Sequence, residues 1–334
     1  MKKWIATGAL ASLTLFASAC GEGGSSGSGD ESINLGYFPN LDHAAGLIGK
    51  QNEIFDEHLG DTQVEYTHFP NGNDFIDALD TGSLDIGYVG PGPAINYYLS
   101  GGDIRILSGA ANGATLIVSA EDSGIHELED FDGKSFCTPG NGCTHNVQLE
   151  IMLQELGLES NRVGGTVEHQ SRIDPASMTM RFENGETDAA AAPEPWGTYL
   201  VEEYNANVVA EWDEVFVGEE LPSVVLVTSE DFLEEHPDKV EDVLQAHEES
   251  VEFAQNNTDE TLESVNEYIY ELSQQEFSDD VLYNAWDRMQ ISTEVHEDAL
   301  KDWAQASYDL AFLEEEPDLE GLVDTTYMEK ALED

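Results

Sequence analysis

From residue 33 onward, short runs rich in β-branched and aromatic residues alternate with stretches of helical period, which restricts the chain to a mostly parallel sheet with helices on both faces. Strands are predicted at residues 33–38, 64–69 and 84–89, with helices at 44–51 and 74–80 between them. A helix at 93–99 opens on prolines, which suit a first turn because they lack an amide that would go unpaired there. Strands at 104–107 and 115–119 follow. A second series begins after Asp130, with strands at 135–138, 166–169 and 189–191, helices at 145–156 and 176–184, and a further helix from Trp196. Residues 223–228 read as a strand leading back. From Ser229 the pattern is helical, with Val240, Val243, Leu244, His247 and Val251 at helical spacing. Two α/β sheet domains joined by two crossings imply a cleft between them. The expected lobes are 33–119 with 224–334, and 120–223.

Residues 1–19 are a different kind of segment. Lys2 and Lys3 give a positive start, residues 5–16 are apolar but too short to span a bilayer, and Ala17-Ser18-Ala19 offers small residues for cleavage, so the segment reads as a signal peptide. Cys20 follows directly, and residues 20–32 form a Gly/Ser-rich tether. This order resembles a bacterial lipoprotein signal, which implies a lipidated Cys20, membrane attachment through that lipid and a place outside the cytoplasm. Ala17 stands where the pattern usually has Leu, and a plain secretory signal with a free Cys20 is the alternative.

The chain carries 69 acidic against 12 basic residues, a net charge of −57, which becomes −59 once Lys2 and Lys3 leave with the leader. Nucleic acid is excluded as a partner for so negative a surface. Apolar residues still make up 40%, so this is a folded protein with a heavily charged surface and no disordered acidic tail. Self-repulsion is screened to roughly 3 Å in molar salt, and a saline or alkaline habitat is expected.

Three motifs then carry a family likeness. Gly36-Tyr37-Phe38-Pro39-Asn40 with His43-Ala44, the run from Gly82 through Tyr88-Val89-Gly90-Pro91-Gly92-Pro93-Ala94, and Pro193-Glu194-Pro195-Trp196 resemble the aliphatic sulfonate, nitrate and taurine binding proteins of ABC importers. The resemblance runs from about residue 33 to 257. It implies a two-lobed periplasmic-binding fold of the second type that closes by hinge motion on a small anionic nutrient. It also implies delivery to an ABC permease with its ATPase, no catalysis and no cofactor. Pyrimidine or thiamine-precursor binding proteins, an extracytoplasmic sensor module and an enzyme of the same fold are the alternatives.

The residues agree with that implication. In open α/β sheets ligands sit beyond the carboxyl ends of strands, where residues 38–40, 89–92 and 138–142 fall. The segments from Gly90 and Pro91 through Gly92 to Pro93, and from Gly142 through Cys143 to Thr144, are therefore expected to present backbone amides and hydroxyls to an anion at helix N-termini. Phe38 and Trp196 would cover an apolar tail, and Asn40, His43, Thr138 and Glu194 would orient polar groups. Phe38 reads equally as a core strand residue, His43 as a capping or solvated one, and Arg172 as a surface ion pair rather than an anion clamp.

Cys143 and His145 are the one pair that suggests a nucleophile and base, but residues two apart at a helix start do not face each other. The nine histidines show no metal-ligand spacing, and no metal site is expected. The turn-rich loop between Cys137 and Cys143 leaves both a disulfide and two free thiols open.

Overall fold

The computed structural model describes residues 32–333; the expected leader, Cys20 and nearly all of the tether lie outside them. The first sheet begins with β1 (Ser32–Tyr37), β2 (Gln63–His68), β3 (Ile86–Val89) and β4 (Arg105–Gly113). The second consists of β5 (Thr115–Ser119), β6 (Ser135–Cys137), β7 (Glu168–Gln170), β8 (Ala189–Pro193) and β9 (Asn207–Ala210). The chain then returns to the first sheet with β10 (Pro222–Thr228) and β11 (Met289–Ile291).

The six-stranded order is β11-β4-β10-β3-β1-β2 and the five-stranded order β7-β6-β8-β5-β9. Pairing is parallel where helices cross over, as in β1 with β2 and β3, and antiparallel where the returning β10 lies between β3 and β4. Central strands are buried on both faces, as sheets covered by helices require. In β10, Val224 and Leu226 pack on one face with the helices Ala44–Gln51 and Pro237–Asn256. Val225 and Val227 pack on the other with Pro91–Leu99 and Glu297–Asp309. In β8 the same alternation uses Ala189 and Ala191 on one face and Ala190 and Ala192 on the other, so helices approach that strand closely.

One boundary moves. β5, expected in the first lobe, pairs with β8 and β9 in the second sheet. The chain leaves the first sheet through Gly113 (φ 81°) and Ala114 (φ 60°), two consecutive left-handed residues that end β4 abruptly and turn the chain into the neighbouring lobe. It returns through residues 211–221, and β10 starts at Pro222, one residue before the expected 223, which places Ser223 in the first lobe. The C-terminal region is helical as expected, apart from the short β11. Among the described residues, no helix is long and apolar enough to cross a membrane.

Candidate functional site

The carboxyl ends of β1, β3, β6 and β8 point toward one another, and a cavity of about 40 Å³ lies between the loops that follow them. Phe38, Asn40, Asp42, His43, Gly90 and Ser223 line it from the first lobe. Cys143, Thr144 and His145 line it from the second. The lobes are closed on each other. Thr144 Oγ1 accepts the Gly92 amide (3.2 Å), the Trp303 indole donates to the Thr144 carbonyl (3.3 Å), Asn96 Nδ2 donates to the Gly142 carbonyl (2.8 Å), and the Leu41 amide donates to the Glu194 carbonyl (3.0 Å). Gly90 is required by this closeness, because a Cβ there would lie 2.9 Å from Thr144 Oγ1.

Six of the expected residues thus meet at one cavity: Phe38, Asn40, His43, Gly90, Cys143 and Thr144. Phe38 stands against the His43 ring with centroids 4.7 Å apart, and His43 Nδ1 accepts the Phe38 amide (3.4 Å). Burial pushes the His43 imidazole down to about 3, so it is neutral and its Nε2 carries the proton.

The others act elsewhere. The Trp196 indole donates to Asn40 Oδ1 (3.1 Å) while its ring packs edge-on against Phe277 in the core, so it fixes Asn40 from behind and does not line the cavity. The Glu194 carboxylate accepts the Thr198 amide (3.0 Å) and hydroxyl (2.9 Å) at the start of helix Trp196–Tyr204. Burial pushes Glu194 up to about 7, opposed by that amide and by the Arg288 charge. Thr138 Oγ1 is spent on the Gly140 carbonyl and on His169. The Gly142 amide donates to Asn146 Oδ1 (2.8 Å), and a Cβ at Gly142 would meet Phe312 at 3.2 Å. Pro91 is buried in the first turn of its helix, away from the cavity wall. Arg172 is exposed and does not reach the cavity. Two of the amides expected to cradle an anion are therefore already occupied.

Sequence reading passed over Asp42 and Ser223, and treated His145 only as a partner for Cys143. The Asp42 carboxyl is 2% exposed, and burial pushes it up to about 8, opposed by nearby backbone amides and reinforced by Glu194. Its Oδ1 makes no well-formed hydrogen bond among the described residues, and neither do Ser223 Oγ and His145 Nε2, although the Ser223 hydroxyl lies near enough to oppose the rise at Asp42. Among the described residues, no Lys or Arg lines the cavity.

Cys137 and Cys143 are free, which corrects the option of a bridge. Cys137 packs into an apolar cluster with Leu116, Met178 and Ala190, while Cys143 faces the cavity. Burial pushes Cys137 up to about 12 and also raises Cys143, and it lowers His145 to about 4, opposite to what a thiolate–imidazolium pair needs. Iodoacetamide at pH 8 is therefore expected to leave Cys137 and Cys143 unmodified in the folded protein and to alkylate both in denaturant without reductant, as read by peptide mass spectrometry. Two unalkylated cysteines joined in one peptide would restore the bridge.

The sequence model of the NMT1-like family matches residues 26–269. The putative aliphatic sulfonates-binding protein of Bacillus subtilis is 25% identical over 331 residues, covering 97% of this chain and 96% of its own. The protein of the same description from Escherichia coli is 25% identical over 171 residues, and that match spans about half of each, 51%. The alkanesulfonate-binding protein SsuA from Xanthomonas axonopodis pv. citri, solved bound to MOPS, superposes with a TM-score of 0.74 at 18% identity, covering 88% of this chain and 98% of that one. That likeness shows a shared two-lobed periplasmic-binding fold.

Proposed function

The chain belongs to the NMT1-like family, and we propose on that premise that it is the extracytoplasmic solute-binding component of an ABC importer, held to the membrane by a lipid on Cys20. The observation that carries this reading is a cavity between two lobes lined by buried polar atoms that make no well-formed hydrogen bond within the protein. Such atoms are costly unless something completes them, and a bound solute does so. The two crossings, at Gly113–Ala114 and residues 211–221, are the natural hinges, because only they join the lobes covalently. Aliphatic sulfonates, named for the matched relatives, are the first class of solute to test.

Co-isolation from detergent-solubilised membranes tests the assignment. An ABC permease with its ATPase is the expected companion; a histidine kinase in its place would make the chain a sensor. For the anchor, the native chain is expected in the detergent phase on phase separation and Cys20→Ser in the aqueous phase, whereas equal partitioning of both would remove the lipid.

A further inference from the structure

We propose that the solute meets Asp42 with a protonated nitrogen head, an ammonium or amidinium group, and that the cavity is not built for a simple anion. The proposal rests on the solute-binding reading and names the chemistry of that same site.

Three buried atoms in one cavity make no well-formed hydrogen bond, Asp42 Oδ1, Ser223 Oγ and His145 Nε2, although the Ser223 hydroxyl lies near enough to Asp42 to act on its carboxyl. Asp42 is 2% and Ser223 5% exposed, so water does not satisfy them from outside. The Asp42 and Ser223 oxygens can accept a hydrogen bond, and so can His145 Nε2 in the neutral tautomer that carries its proton on Nδ1. A cation with several N–H groups completes such a set, and an ammonium brings three donors.

An anion finds little here. Arg288, whose charge acts on Glu194, already donates to both Glu211 oxygens (2.9 and 3.1 Å) and to Thr198 Oγ1 (2.8 Å). The amides of Gly92 and Gly142 are taken by Thr144 and Asn146. Without solute Asp42 holds its proton up to about pH 8, so a cation binds by displacing that proton, and Glu194 is a second acid whose ionised form acts on Asp42 and would oppose an anion. With about 40 Å³ of space, the head that fits has on the order of three to four non-hydrogen atoms, since a single water needs about 10–15 Å³ on the same measure.

The test is calorimetry and thermal shift on the full chain in molar sodium chloride with four probes: methylammonium, acetamidinium, nitrate and methanesulfonate. At least one of the two cations is expected to bind and raise Tm, and both anions to be silent. Asp42→Asn is expected to weaken the cation at least tenfold, and Ser223→Ala two- to tenfold. The serine variant carries the test if Asp42→Asn fails to fold. Binding of nitrate or methanesulfonate with both cations silent overturns the proposal and leaves the solute-binding reading intact. Cation binding undiminished in both variants also overturns it. Silence toward all four probes overturns it as well, while the importer assignment stands or falls separately on co-isolation of the permease.

Discussion

Stability of the unliganded protein is expected to peak near pH 6.5 and to fall by about 1 kcal/mol between there and pH 8, with Asp42→Asn removing the fall. Folded Asp42 keeps its proton up to about pH 8, whereas the unfolded side chain releases it near 4. Between those limits the folded state carries the extra proton, so raising the pH favours unfolding by about 1.4 kcal/mol per pH unit. Glu194 acts in the same direction up to about pH 7. The buried histidines act in the opposite sense. His43 is held down to about 3 and His145, His169 and His247 to about 4, so between there and 6.5 the unfolded chain binds the extra protons and stability rises with pH. Four histidines outweigh two acids below 6.5, and above it the acids prevail while the histidine effect fades. Urea unfolding in molar salt, followed by circular dichroism at pH 5, 6.5 and 8, measures both limbs. An alkaline limb equally steep in Asp42→Asn would mean that Asp42 is already ionised in the fold.

The acid that dominates this profile is also the residue that sequence reading passed over, for a physical reason. In a chain with 69 carboxylates, one Asp in a helix-opening turn looks like the others; only the fold shows that Asp42 is enclosed while most are solvated. Ser223 was hidden by distance, since it enters the cavity only because β10 inserts between β3 and β4. By contrast Phe38, Asn40, Gly90, Cys143 and Thr144 were legible, because period-two runs ending in Gly, Pro and Asn mark the carboxyl ends of strands, where this topology gathers its loops. Trp196 and Glu194 sit in a motif that seemed to face the ligand, yet their partners decide otherwise: Phe277 is distant in sequence and Thr198 four residues on. The fold itself was readable wherever strands were long enough to show alternation. The four residues of β9 and three of β11 were not, and the crossing at Ala114 turns on a backbone angle that an alanine does not advertise.

Arg162→Ala is expected to cost about 3 kcal/mol and to weaken solute binding, although Arg162 is remote from the cavity lining. Its Nη2 donates to Glu150 Oε2 (3.0 Å) and to the Leu310 carbonyl (2.6 Å), Nη1 donates to the Ala311 carbonyl (3.4 Å), and the guanidinium lies 3.7 Å from the centre of the Phe312 ring. One side chain of the second lobe thereby holds the segment that follows helix Glu297–Asp309 of the first. Glu150 is 3% exposed, so removing the cation leaves a carboxylate without its charge partner in a site closed to water, a loss of roughly 3–5 kcal/mol in comparable pairs. The Asn146 amide and the Ser160 hydroxyl still donate to Glu150 (2.8 and 2.9 Å), which places the expected cost at the low end. Binding suffers because Asn146 also holds the Gly142 amide next to Cys143 and Thr144, so loosening Glu150 loosens the cavity loop. Arg162→Lys keeps a charge but loses the fork and the flat contact with Phe312, and should fall between the two. The Arg105–Glu230 pair supplies the contrast: its glutamate is half exposed, and Arg105→Ala should cost under about 1 kcal/mol. Urea midpoints for the three variants in molar salt separate these cases. An Arg162→Ala cost no larger than that of Arg105→Ala would mean that the lobes are held by the contacts around Thr144 alone.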